Sequence, residues 1–381
     1  MPTDSLQIFT CCYKLTFPIF ADMTSVDEIY MQRCLDLARN GLGSAAPNPM
    51  VGAVIVYNDR IIGEGFHTGF GKPHAEAEAI NLVKDQTLLP ESTLYVNLEP
   101  CNHQGKTPPC TNLILEKGIR RVVIAHSDPN SVAGGGIDRL RREGVEVICG
   151  ILREESLWLN RRFITFHGEK RPYLILKWAQ TADGFVDTLR DTPENQQPSW
   201  ITDETCRSLV HKWRTEEQAI LAGSRTILLD NPQLNVRAWS GKNPLRITID
   251  RSGVITRSRT GVPGLPIRLL DGSIPTVIYT QSAPSNKPNL EFVRLSTDEP
   301  VWTQVLKDLY NRNILSVLIE GGPTLFSTLI EENLWDEARI FVGPGWFGNG
   351  VRAPHFPFQA AEQGVVGNSR LLRFFRKTEE A

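Results

Sequence analysis

Apolar residues recur at Met31, Cys34, Leu35 and Ala38, a three-and-four spacing that predicts an amphipathic helix. Ser25 and Glu28 form a capping box ahead of it, and Gly41 closes it. The period then changes. Val51 to Tyr57 is a continuous apolar run rich in β-branched residues, Asn58-Asp59 is turn chemistry, and Ile61-Ile62 resumes the apolar pattern, so a hairpin is predicted. Thr93 to Leu98, Arg121 to His126 and Gly144 to Ile148 read as further strands. Helical runs open at His74 and Cys110. Strands alternating with helices in this way predict a three-layer α/β domain ending near Phe166. The polar, turn-rich stretch His167-Gly168-Glu169-Lys170-Arg171-Pro172 then reads as a linker.

The pattern resumes at Tyr173 to Ala179, a strand with Lys177 embedded in it. Burying an unpaired ammonium is costly, so Lys177 is either a functional cation or the end of a strand reaching solvent. Thr202 is placed to cap a helix whose apolar positions are Cys206, Leu209, Val210 and Trp213. Strands are predicted at Ala219 to Ala222, Arg246 to Asp250, Thr276 to Tyr279 and Ser316 to Ile319. The last runs into Glu320-Gly321-Gly322-Pro323-Thr324, a glycine turn with proline at the first helical position. Such a turn either brings backbone amides close to a phosphate or is only a tight connection.

A chain of 381 residues suits two domains, here divided as 23–168 and 169–381. The net charge of −2 and the lack of a basic run argue against a nucleic-acid partner. Seven cysteines, with only Cys11 and Cys12 adjacent, do not form a disulfide framework and suit a reducing cytoplasm. No apolar run is long enough to span a membrane. Residues 1–22 mix proline, cysteine and aromatic residues without a period. They read as a disordered leader or a start-site artefact, with a targeting segment the lesser alternative.

Chemistry enters at His74-Ala75-Glu76, Cys101 and Cys110. One imidazole and two thiolates hold a catalytic zinc with a coordination position left open. Such an ion makes hydroxide available near neutral pH, and a nearby carboxylate that is not a ligand can shuttle protons. Cys101 falls just past a predicted strand, and Cys110 opens a helix whose positive end favours thiolate. His74 and Glu76 are two residues apart and would not share a helix face, so they converge only at the entrance turn. A structural zinc would need a fourth protein ligand, and a chance His-x-Glu would need none of these neighbours.

Pro47-Asn48-Pro49-Met50-Val51-Gly52, His74-Ala75-Glu76, the run from Pro100 to Cys110, Ser127-Asp128-Pro129-Asn130 and Gly134-Gly135-Gly136 together resemble the bifunctional riboflavin-biosynthesis deaminase/reductase family. The eight residues between Cys101 and Cys110 differ from the P-C-x-x-C of nucleoside and polynucleotide deaminases. The resemblance implies a cytidine-deaminase-like first domain. Its reaction would be hydrolytic deamination of 2,5-diamino-6-ribosylamino-4(3H)-pyrimidinone 5′-phosphate to 5-amino-6-(5-phosphoribosylamino)uracil. It implies zinc on His74, Cys101 and Cys110, Glu76 as proton shuttle, and Asn48, His67 and Lys106 touching substrate. Asn48 also reads as a turn residue and His67 as a surface histidine.

In the second half, the segments from Lys177 to Gly184, Ser199 to Thr202, Ala222 to Leu234 and Glu320 to Thr324 are similar to the same family's reductase half. That similarity implies a dihydrofolate-reductase-like fold that binds NADPH and reduces the ribosyl group to ribityl. Gln180, Trp200, Thr226, Asp230, Arg251 and the turn Gly322, Pro323, Thr324, Leu325, Phe326, Ser327 and Thr328 would then face the cofactor. Lys177, Arg214, Leu234, Arg237 and Glu320 would face the ribosyl phosphate, where a guanidinium suits phosphate through paired hydrogen bonds. Pro198, Asn231 and the long run after Gly343 depart from the pattern. They leave open a single-activity deaminase with a degenerate reductase domain. A non-catalytic zinc scaffold is a further alternative. The expected partners are a small-molecule substrate and a second copy of the chain, with a homodimer favoured.

Overall fold

A computed structural model of the chain describes residues 25–105, 108–190, 199–258, 265–282 and 284–376. The proposed leader, Lys106 and Pro198 lie outside the described residues.

In the first domain, α1 (Val26–Ala38) carries the expected capping box, with Ser25 accepting from the Glu28 amide and Glu28 accepting from the Ser25 amide. The strands β1 (Gly52–Tyr57) and β2 (Arg60–Phe66) form the hairpin, and both Asn58 and Asp59 take positive φ at its turn. They join β3 (Thr93–Val96), β4 (Arg121–Ile124) and β5 (Glu146–Cys149) in the order β2-β1-β3-β4-β5. The hairpin is antiparallel and β3, β4 and β5 are parallel. The side chains of β1 alternate between two cores, which is why this strand is apolar throughout. Val54 and Val56 meet Met31 and Cys34 of α1, while Ala53 and Ile55 meet α2 (Ala75–Asn81) on the other face. A Cβ at Gly65 would lie 2.6 Å from the Ala75 carbonyl. This glycine therefore lets the start of α2, and with it His74 and Glu76, sit down on the sheet. The helices α3 (Cys110–Glu116) and α4 (Gly136–Arg142) cover the same face as α2.

Two helices, α5 (Arg153–Leu159) and α6 (Arg161–Glu169), lead to the second domain. His167, Gly168 and Glu169 are thus helical, not a linker, and the helix stops at Lys170 with φ 56°. The amphipathic α6 explains the difference. Its Phe163 and Phe166 pack with Leu315 and Tyr310 of the second domain, so apolar burial overrides the local turn chemistry. Arg162 and Glu217 form a buried bidentate pair across the junction, and Arg161 reaches Glu337 at 3.3 Å.

The second domain is built on a nine-stranded sheet ordered β11-β10-β9-β8-β12-β6-β13-β16-β15. In chain order these are β6 (Tyr173–Gln180), β8 (Ala219–Gly223), β9 (Leu245–Ile249), β10 (Thr276–Thr280), β11 (Leu290–Arg294), β12 (Ser316–Glu320), β13 (Glu337–Val342), β15 (Glu362–Val366) and β16 (Ser369–Phe375). The seven strands from β11 to β13 run parallel, and β16 and β15 close one side antiparallel. Short β7 (Phe185–Asp187) and β14 (Val351–Arg352) pair separately. One face packs α10 (Val301–Asn311) and α11 (Pro323–Glu331) through Trp302, Leu306, Phe326 and Leu329. The other packs α7 (Glu204–Glu216) through Cys206, Val210 and Trp213. Asp203, rather than Thr202, caps α7, its carboxylate accepting from the Cys206 amide at 3.0 Å. Aspartate is the stronger acceptor at the positive end of a helix.

Two candidate active sites

His74 is the residue before α2, with extended backbone at φ −76° and ψ 162°, and it makes no side-chain capping bond. Its imidazole is therefore free of the helix and meets the two cysteines from β3's far loop and α3's first turn. Nδ1 lies 3.5 Å from Cys101 Sγ and 3.4 Å from Cys110 Sγ, and all three ligand atoms lie within 4.8 Å of one another. Zinc bonds of about 2.0–2.3 Å in a tetrahedron separate nitrogen from sulfur by roughly 3.5 Å. The three side chains fit that ion. Cys101 is held at about 4 by the hydrogen bond from the Cys110 thiol and by His74, which predisposes it to ligate as thiolate.

Glu76 lies in the first turn of α2, 3% exposed. Burial first, and then the Cys101 charge, push its carboxyl up to about 7, so it can take up and release a proton near neutrality. The entrance-turn geometry expected for His74 and Glu76 is what the backbone shows. Glu99 accepts from the amides of Asp128 and Ile137, both at 2.9 Å, and so fixes the 127–137 loop. At Gly136 a Cβ would fall 1.9 Å from the Pro100 carbonyl, so the loop can press against the segment holding Cys101 only with glycine there. His67 accepts from the Asn48 amide at 2.9 Å through Nε2 and donates Nδ1–H to the Pro73 carbonyl at 3.0 Å. Burial lowers its pKa, so it is a neutral, oriented imidazole rather than a surface histidine. Asn48, His67, His74, Glu76, Glu99 and Cys101 line a cavity of about 380 Å³. Its outer wall adds Phe163, Phe166, His167 and Asn313, none of which the sequence had singled out.

A larger cavity of about 1270 Å³ lies in the second domain, at the carboxyl ends of the parallel strands. Lys177 and Glu320 are register partners on β6 and β12, so they stand side by side. Arg214 clasps Glu320 with Nε and Nη2 at 3.0 and 2.9 Å. Burial raises the Glu320 carboxyl, but Arg214 and Lys177 outweigh it and hold the group at about 2. Burial lowers the Lys177 ammonium, with the Arg214 charge adding to the effect. Lys177 is therefore a cation beside Glu320 on the cavity wall, not a strand end in solvent. Arg237 and Leu234 line the same cavity.

Trp200, Thr226, Asp230, Arg251, Gly322, Pro323, Thr324, Leu325 and Thr328 also line it. Gly322 precedes α11 and Pro323 opens it, as the glycine turn predicts. Three expected residues are placed differently. The Gln180 carboxamide accepts from the Trp178 indole at 2.9 Å, and neither Gln180 nor Ser327 is on the cavity wall. The Phe326 side chain is fully buried against Trp178, because α11 must turn one face to the core. Asp230 forms an ion pair with Arg190 at 2.6 Å, and Arg190 also reaches Asp187 at 2.8 Å. The departure at Asn231 has a local reason. Its amide donates to the Pro266 carbonyl and accepts from the Arg268 amide, a dual role no carboxylate fills.

Arg190, Arg207, His211 and Arg268 complete the wall and were missed in the sequence. For two of them a signal existed. Arg207, His211 and Arg214 recur at i, i+4 and i+7, a polar stripe on one face of α7.

A buried His/Cys/Cys/Glu constellation on a cytidine-deaminase-like domain, joined to a parallel-sheet domain with an arginine-lined cavity, defines a two-site enzyme. Residues 24–126 match the cytidine and deoxycytidylate deaminase zinc-binding region, and residues 172–366 match the RibD C-terminal domain. Riboflavin biosynthesis protein RibD of Aquifex aeolicus is 36% identical over 351 residues, covering 89% of this chain and 93% of that protein. Its counterpart in Synechocystis is 39% identical, over 86% of this chain and 87% of that one. The structure of a diaminohydroxyphosphoribosylaminopyrimidine deaminase/5-amino-6-(5-phosphoribosylamino)uracil reductase from Thermotoga maritima superposes with a TM-score of 0.80. It is 39% identical and covers 91% of this chain and 98% of its own. The chain belongs to the riboflavin biosynthesis RibD family, with a zinc-type deaminase domain and a dihydrofolate-reductase-like reductase domain.

Proposed function

We propose that the first domain, 23–168, deaminates 2,5-diamino-6-ribosylamino-4(3H)-pyrimidinone 5′-phosphate. The second, 169–381, then reduces the ribosyl group of the resulting uracil derivative to ribityl with NADPH. The observation that carries this reading is the cluster of His74, Cys101 and Cys110 beside a cavity that His74, Cys101 and buried Glu76 line, separate from a second, cationic one.

Zinc on His74, Cys101 and Cys110 supplies the Lewis acidity that makes water nucleophilic near neutral pH. Glu76 would take one proton from the attacking water and give it to the ring nitrogen, then carry the second from the added hydroxyl to the amine, which leaves as ammonia while the ring carbonyl forms. Asn48 and His67 orient the ring, with Lys106 assigned beside them by resemblance. In the second cavity, reduced nicotinamide supplies the hydride. Trp200, Thr226, Asp230, Arg251 and the cavity-lining residues Gly322, Pro323, Thr324, Leu325 and Thr328 of the turn are assigned to the cofactor. Lys177, Arg214, Leu234, Arg237 and Glu320 are assigned to the sugar phosphate, Arg237 presenting a guanidinium fork to the phosphate.

A cytoplasmic setting is proposed; the free thiols of Cys34, Cys101, Cys110, Cys149 and Cys206 suit a reducing compartment. No described helix is long and apolar enough to cross a membrane. A homodimer is proposed on the open edge at β15, where Val365 is 76% exposed. The test is to supply the diaminopyrimidine ribosyl phosphate with and without NADPH and identify the products. The uracil derivative alone without NADPH, and its ribityl form with it, are expected. The ribosyl compound under both conditions would leave a single-activity deaminase.

A further inference from the structure

We propose that His167 of α6 and Asn313 of the reductase domain bind the phosphorylated sugar of the deaminase substrate, so that the second domain completes the first domain's site. This rests on the deaminase reading above. The inner end of the 380 Å³ cavity is occupied by the zinc ligands, Glu76, Asn48 and His67, which address the ring and its amine. The outer wall comes from elsewhere in the chain. Phe163 and Phe166 give it an apolar base, and Phe166 stacks on Tyr310 of the second domain at 4.5 Å.

On that base stand two polar side chains with nothing to bind inside the protein. The His167 imidazole packs against the Phe163 ring at 4.3 Å and makes no hydrogen bond among the described residues. Asn313 is held by its backbone, its amide donating to the Tyr310 carbonyl and its carbonyl accepting from Gln218. With φ 58° it is the left-handed residue that ends α10, and its exposed carboxamide has no partner among the described residues.

The charges nearby favour an anion at this end. Lys72 lines the same cavity without an ion pair among the described residues, and Lys170 sits 6.0 Å over the Tyr310 ring. The acidic groups of the wall other than Glu76, namely Glu99 and Asp128, already accept from backbone amides. A neutral sugar would find two amide-like donors here; a phosphate finds those donors and the cations.

The test compares the full chain with His167→Leu, His167→Gln and Asn313→Gly, glycine being free to take the positive φ at 313. Deamination is measured on the phosphorylated substrate and on the same compound without phosphate. His167→Leu and Asn313→Gly should each raise KM for the phosphorylated substrate roughly tenfold with kcat nearly unchanged, as for a lost hydrogen bond to a charged group. His167→Gln keeps an N–H donor and should restore most of the loss. KM for the dephosphorylated compound, zinc content and reductase activity should not move. An unchanged KM for the phosphorylated substrate, or an equal rise for both compounds, overturns the inference. A wild-type chain that deaminates neither compound removes the deaminase reading and this inference with it.

Discussion

Glu320→Gln keeps the size of the side chain and removes only its charge. In the structure that charge faces Arg214, with both oxygens engaged at 2.9 and 3.0 Å, and Lys177 on the neighbouring strand. A carboxyl held at about 2 instead of 4.5 corresponds to about 3 kcal/mol favouring the ionised form at neutral pH. The side chain is 16% exposed, so solvent screens little of this. A second-domain unfolding transition should fall by about 6–12 °C, since 1 kcal/mol moves Tm by about 2–4 °C at this size. The sign with pH follows from the lowered folded value. The stabilisation is fully present above 4.5 and lost as pH falls through about 2, so wild type and variant should converge in acid. Reductase turnover should drop with stability because Arg214 and Lys177 lose the anion that orients them, while deamination persists. Thermal denaturation from neutral to acid pH is the assay. A Tm within about 2 °C of wild type at pH 7, or a gap that stays constant into acid, would refute the electrostatic reasoning.

Cys101→Ser and Cys110→Ser should each lose zinc and deamination together and lower first-domain stability, read by metal analysis and thermal denaturation. Full zinc occupancy in both would show that the ligands lie elsewhere. Arg251→Ala should raise KM for NADPH and leave KM for NADH little changed, because the guanidinium is assigned to the 2′-phosphate. Equal effects on both cofactors would move that role to another residue.

The local pattern carried most of the first domain. The capping box at Ser25, the turn at Asn58-Asp59 and the continuous apolar run of β1 are nearest-neighbour effects, and the zinc constellation follows because each member sits at the end of such an element. What the sequence hid depends on distant contacts. Residues 167–169 look like a linker until Phe163 and Phe166 find Tyr310 and Leu315. Phe326 looks like part of the glycine turn until α11 commits that face to Trp178. The β6–β12 pair and the Arg162–Glu217 contact join segments far apart in the chain, and no local period announces such pairings. Arg190 was out of reach for the same reason, since its partner Asp230 lies far along the chain, beyond α7 and β8.

The central claim is that two chemically independent sites share this chain, and Glu76→Gln tests it most directly. Glu76 is nearly inaccessible to water, so no solvent molecule replaces its carboxylate in the proton transfers. Deamination should fall by about 10²–10⁴-fold, the usual contribution of a general acid–base group. Zinc should remain at wild-type occupancy on His74, Cys101 and Cys110, and NADPH-dependent reduction of the deaminated substrate should continue at the wild-type rate. Loss of both activities in a folded, zinc-loaded variant would contradict the account, because it would mean that deamination and reduction share one site.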